Sequence, residues 1–149
     1  MTEMQSLAIA AAVTFVWLGM VLAISFLEAP LRFRAPGVTT TIGLGIGRLV
    51  FRALNTVEAV LAAALLSVLV IETAVLSGLP PAGAVTPVAI AIVALIAQLA
   101  VVRPRLARRS DHVLAGQDAP RSKGHHAYVA LEIVKVVALL VAGIMLLAS

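Results

Sequence analysis

The sequence predicts an all-α, polytopic membrane protein: a bundle of four transmembrane helices with both termini non-cytoplasmic. Three observations lead there. The 149-residue chain is 62% hydrophobic and only 12% charged, with a mean hydropathy of +1.11, whereas soluble chains carry about 25% charged residues. The apolar residues fall in four runs close to the ~20 residues a helix needs to cross a bilayer, and they lack the alternation of barrel strands. The positive residues behind the net charge of +4 gather in two of the three connections between runs. That distribution marks membrane topology rather than a nucleic-acid-binding face. Most residues belong to the runs, so residues 1–149 read as one helical domain with no separate soluble part.

The first span covers about 6–27. Met1-Thr2-Glu3-Met4-Gln5 before it holds no Lys or Arg, so it reads as a retained helix rather than a cleaved signal peptide. The connection that follows carries Pro30 and Pro36, both expected to break helix. Next comes Thr39-Thr40-Thr41-Ile42-Gly43-Leu44-Gly45-Ile46-Gly47-Arg48. This glycine-rich stretch reads as a flexible interfacial segment or as backbone amides cradling a lipid phosphate beside Arg48. Arg48 and Arg52 are the candidate headgroup contacts.

The second span, about 49–76, is long enough to require tilt. It opens with Asn55 and Glu58 and holds Glu72 near its far end, where an outward-reaching side chain is expected. The third, about 85–102, has Pro87 in its first turn, where proline is tolerated. Gln98 is the only strongly polar residue in its body and is expected to bond a neighbouring helix. The fourth, about 127–147, carries Glu132 and Lys135 three residues apart on one helical side. Arg32, Arg34 and Arg48 lie in the first connection; Arg103, Arg105, Arg108, Arg109, Arg121 and Lys123 lie in the third. Positive residues stay inside, so 29–48 and 103–126 are expected to be cytoplasmic loops of a cell-membrane protein.

At 100° per residue, His125, Tyr128, Glu132, Lys135, Leu139 and Gly143 share one sector of the fourth helix. Asn55, Glu58, Ala62, Leu65, Leu69 and Glu72 form a stripe on the second. Glu58 and the Glu132–Lys135 pair lie at similar depth, ~10 Å or more below the surface at 1.5 Å per residue. The two helices run in the same direction, so these groups are placed to meet across the bundle. Ionisable groups at such depth face protein or a water-filled cavity. The candidate binding or ion-responsive cluster is therefore Asn55, Glu58, Tyr128, His125, Glu132 and Lys135. Two carboxylates around one ammonium share a proton. The competing structural role is a buried pair that fixes helix register.

No metal site or cofactor is expected. The chain has no cysteine, and His112, His125 and His126 lie in or beside the third connection. Adjacent His125 and His126 point about 100° apart on a helix. No nucleophile-and-base pattern is visible, which argues against an enzyme.

Several segments resemble the transmembrane-protein-205-like group of small four-helix membrane proteins. They are Trp17-Leu18-Gly19 with the later Pro30, then Arg48-Leu-Val-Phe51-Arg52-Ala-Leu54-Asn55-Thr-Val-Glu58. Arg103-Pro104-Arg105, followed by a polar loop to His125-His126, completes the likeness. It covers nearly the whole chain through short motifs; Glu132 and Lys135 are not part of it. The resemblance implies a four-helix membrane fold and no established catalytic site.

Three functions fit the sequence. The first is a protein that binds or moves an ion, a proton or a small solute through the cluster. The second is an accessory or scaffold subunit of a larger membrane complex. The third is an interfacial lipid or isoprenoid enzyme using Arg48 and His125. The expected partners are the lipid bilayer and either further copies of the chain or a larger membrane complex, with no nucleic acid.

Overall fold

A reciprocal cap starts the first helix. Thr2 Oγ1 accepts from the Gln5 N–H at 3.3 Å, and Gln5 Oε1 accepts from the Thr2 N–H at 3.0 Å, so two otherwise orphaned donors are satisfied. The computed structural model describes residues 2–75, 82–102, 104, 108 and 124–149. From this cap α1 runs Glu3–Arg32 without a break.

Pro30 does not end α1, contrary to the expectation from sequence. The helix widens to a π-helical stretch at Leu22–Glu28, where the Ala29 N–H donates to Ile24 O, five residues back. A proline removes one backbone donor and crowds the carbonyl four residues earlier. The wider turn absorbs both effects, and Ala29–Arg32 continues as α-helix. The same device recurs: π-helical Gln98–Val102 ends two residues before Pro104.

A turn through Pro36 and Gly37 (φ 79°) reverses the chain. Thr39 then caps α2, accepting the Ile42 N–H on its hydroxyl at 3.3 Å and the Gly43 N–H on its carbonyl at 2.9 Å. Helix α2 spans Thr40–Val75, so it begins well before the expected run and takes in the whole glycine-rich stretch. Amides within a helix are committed to carbonyls four residues back. Those after the first turn therefore form no phosphate cradle.

The glycines serve close packing instead. A methyl on Gly43 would overlap the Phe33 ring, and one on Gly47 would overlap the Arg32 guanidinium. Arg32 lies against this smooth face, donating to Gly43 O at 3.1 Å and pairing with Glu28 at 2.5 Å.

Helix α3 comprises Ala82–Ala97 and the π-helical Gln98–Val102. It starts earlier than expected, which places Pro87 inside the helix rather than in its first turn. Helix α4 is Gly124–Leu147. Among the described residues there is no strand, and the four helices are each long and apolar enough to cross a membrane.

Around the bundle, α1 packs on α2 and α4, while α3 packs on α4 and only lightly on α2. Thus α2 and α4 face each other across a diagonal. Small residues bring neighbours close: Ala10 and Ala11 on α1, Ala91 on α3, and Ala138 and Ala142 on α4 are buried. Gly143 leaves room for the Phe15 ring. Large apolar residues of every helix, such as Val16, Val60, Val93 and Val137, point outward. This is the pattern of a bundle whose surroundings are hydrocarbon.

Candidate functional site

All four helices send one polar side chain or more to the centre of the bundle. Glu58 (α2), Gln98 (α3), and Glu132 and Lys135 (α4) are at most 1% exposed, and Trp17 (α1) is fully buried. Their burial follows from helical spacing: each polar group lies on the stripe that also carries the packed residues of its helix. On α2 the inward residues Asn55, Glu58, Ala62, Leu65 and Glu72 keep the predicted stripe, with Leu69 partly buried and Leu54, outside the stripe, buried beside it.

Lys135 is the hub. Its Nζ lies 2.5 Å from Glu58 Oε1 across the diagonal. It donates to Gln98 Oε1 at 2.7 Å and lies 3.4 Å from Glu132 on its own helix. Gln98 closes the ring, with Nε2 donating to Glu132 Oε1 at 3.0 Å. Trp17 Nε1 donates to Glu58 Oε1 at 2.9 Å. One oxygen of Glu58 thus receives two donors, while its Oε2 has no hydrogen-bond partner among the described residues. Glu132 Oε2 is likewise without one.

Formal charge decides what the ring can do. Two carboxylates and one ammonium leave one uncompensated negative charge when all three are ionised. Uncompensated buried charge is far costlier than a paired one. Glu58 Oε2, which has no hydrogen-bond partner among the described residues, and Glu132 Oε2, whose one polar contact there is the Lys135 ammonium at 3.4 Å, are where a proton would be held.

A second polar layer lies one to two turns nearer the Arg32 end. Asn55 is 2% and Tyr128 is 8% exposed. Asn55 Oδ1, the Tyr128 hydroxyl and the Ser25 hydroxyl have no hydrogen-bond partner among the described residues. The Tyr128 hydroxyl stands near Glu132 and Ser25. Beyond it the Phe51 ring meets Tyr128 edge-on, with centroids 5.4 Å apart. The Arg32 guanidinium lies 5.7 Å from the Phe51 centroid, within cation–π range. These three side chains close the Arg32 end over the polar interior.

The structure therefore brings Asn55, Glu58, Tyr128, Glu132 and Lys135 together. The backbone of His125 falls in the first turn of α4; its side chain, like all of His112, lies outside the described residues. Arg48 is half-buried and Arg52 exposed, both at the Arg32 end of α2 and away from the ring. Most of the third connection, within 103–123, also lies outside the described residues.

Sequence reasoning missed one member of the ring, placed another without naming its partners, and misdirected one acid. Trp17 reads as an apolar packing residue, yet its indole N–H is a donor at the depth of Glu58. Gln98 reads as a helix-to-helix bond, and it is one, but its two partners are the ring's own charged groups. Glu72 is 2% exposed and turned inward to Ser6 of α1, not outward.

Two open grooves lie on the outside. One, of about 480 Å³, lies beside Glu28 and Arg32. The other, of about 430 Å³, lies between α2 and α3 and reaches Asn55. Among the described residues, no three His, Asp or Glu side chains gather to hold a metal ion. The fold and this ring define a class: a four-helix bundle of apolar helices with a charged, hydrogen-bonded centre. No protein-family model, curated protein or solved structure matches the chain.

Proposed function

We propose that the chain is a multi-pass protein of the cell membrane that binds a proton at the Glu58–Lys135–Glu132 ring and passes it along the bundle. The observation that carries this reading is the charge count: two buried carboxylates share one ammonium, and Glu58 Oε2 has no hydrogen-bond partner among the described residues. A proton suits the geometry better than a solute. Leu65 and Leu139, on the same helices as Glu58 and Lys135, are both 0% exposed, and the grooves beside Arg32 and Asn55 are open to the exterior. The positive-inside rule orients the bundle with the arginine-rich loops cytoplasmic and both termini outside. Four helices enclose a narrow path, so this reading includes assembly with further copies or with a larger membrane complex. Membership of the transmembrane-protein-205-like group belongs to the same proposal. Trp17 and Glu58, which both carry that resemblance, bond each other here.

Purified protein in liposomes with an entrapped pH indicator tests the proposal. An imposed potential is expected to drive proton movement in the wild type, and Lys135→Met and Glu58→Gln are expected to abolish it. Wild-type liposomes as tight as empty ones would overturn it.

One observation favours a second reading, in which the ring only fixes helix register. All three donors of Lys135 are directed at acceptors and Gln98 is satisfied at both ends, as a register device requires. Under that reading the same variants lose stability or assembly, and no flux exists to lose.

A further inference from the structure

A second buried acid lies at the other end of the bundle. Glu72 is 2% exposed, and its Oε2 meets the hydroxyl of Ser6, itself 0% exposed. Ser6 Oγ also donates to Glu3 O at 2.7 Å. A serine hydroxyl has one proton to give and two lone pairs. A backbone carbonyl only accepts, and so does an ionised carboxylate. Ser6 Oγ has one proton for two acceptors, so a proton on Glu72, donated to Ser6 Oγ, gives each contact a hydrogen of its own.

The surrounding charges point the same way. No Lys, Arg or His stands in residues 1–31, 53–102 or 136–149. From α1, Glu72 meets Ser6, with Glu3 exposed one turn away. Neither Ala82–Ala97 of α3 nor the part of α4 beyond Lys135 carries a titratable side chain. No side chain at this end can neutralise a buried carboxylate, whose ionised form is prohibitively costly without a partner.

We propose that Glu72, with Ser6, is a second proton-binding site, serving the face of the membrane opposite the one that the Glu58 ring serves. It lies on the same side of α2 as Glu58, fourteen residues or ~21 Å further along the helix. Leu65, Leu139 and Ala142, all 0% exposed, pack the space between, where buried Thr14 adds a hydroxyl bonded to Ala10 O. The pairing of Glu72 with Ser6 and the lack of a cationic side chain at this end stand independently of the function proposed above. The part of Glu72 in proton transfer rests on that function.

Infrared spectra of the protein in lipid nanodiscs at neutral pH provide the test. An N-terminal extension removes the α-amine of Met1 as a source of positive charge. The wild type is expected to show the carbonyl band of a protonated carboxylic acid that Glu72→Gln removes. Ser6→Ala is expected to shift that band by removing its acceptor, and Glu58→Gln to leave it in place. Dicyclohexylcarbodiimide, which adds protonated carboxyls across its C=N bond, is expected to modify Glu72 in the unmutated protein, so the result does not depend on a variant folding.

No band lost in Glu72→Gln and no modification of Glu72 would overturn the proposal. A band that disappears on adding sodium would also overturn it, in favour of a cation site. In liposomes, Glu72→Gln is expected to lose proton movement, and unchanged movement would overturn the transfer role. A wild type that moves no protons but keeps the band would refute the proposed function and leave the site standing.

Discussion

Lys135 has three protons to donate, and acceptors on three side chains receive them: Glu58, Gln98 and Glu132. Removing the ammonium alone leaves two carboxylates buried at the bundle centre. Lys135→Met is therefore expected to destabilise the fold by about 3–5 kcal/mol, the cost of breaking a buried pair by taking one partner. The triple change Lys135→Met, Glu58→Gln, Glu132→Gln is expected to recover most of that loss. Unfolding in mixed detergent checks both, and a triple variant no better than the single one would show that charge balance is not what holds the ring. Trp17→Phe, which removes the donor to Glu58 and leaves a cavity where the larger indole lay, is expected to cost about 1.5–3 kcal/mol for the bond to a charged group and more for the cavity. At this scale the sequence was informative about charge and less so about neutral donors. Glu58, Glu132 and Lys135 announce themselves because charge inside an apolar run needs a reason. Trp17 does not, because an indole is at home in an apolar helix whether or not its N–H is used; Gln98 signals a bond to another helix but not which groups it meets. The inward turn of Glu72 was hidden because it depends on a hydroxyl on another helix.

Among elements, the two proline-associated π-helical stretches and the glycine-rich start of α2 are where local reading and structure part. Pro30 and the Gly43–Gly47 spacing are both strong breaker signals when taken alone. Together they make one joint: α1 is carried past its proline far enough for Arg32 and Phe33 to reach α2, and α2 offers glycines where they land. Arg32 thereby joins Glu28, Gly43 O and the Phe51 ring in a single clamp. Gly47→Leu is expected to displace Arg32 and to cost about 1–3 kcal/mol as an overpacked contact. Limited trypsin digestion should then cut after Arg34 faster than in the wild type. An unchanged rate would mean that the clamp does not hold the turn. The existence of four long helices was legible from the sequence, since it depends only on composition over ~20 residues. Where they begin and end was not, since that depends on contacts between the ends.

For the whole molecule, the orientation proposed from the arginine-rich connections has a direct check, because the chain has no native cysteine to interfere. Single variants Thr2→Cys and Ser149→Cys in intact cells are expected to react with a membrane-impermeant maleimide, and Ala35→Cys to react only after permeabilisation. The reverse pattern would invert the bundle and exchange the faces assigned to Glu58 and Glu72. The diagonal arrangement of α2 and α4 also has a mechanical side. Four rods joined only to their neighbours form a frame that shears from square to rhombus with little resistance. Here the Glu58–Lys135 ion pair spans the diagonal between helices whose backbones are not packed together, alongside the Phe51–Tyr128 ring contact, so the ion pair is a charged cross-brace of the frame. Gaining or losing a proton there changes the tension in the brace as well as the charge. The α1–α3 distance should then shorten as the α2–α4 distance grows, converting a chemical event at one carboxyl into a change in the shape of the whole bundle.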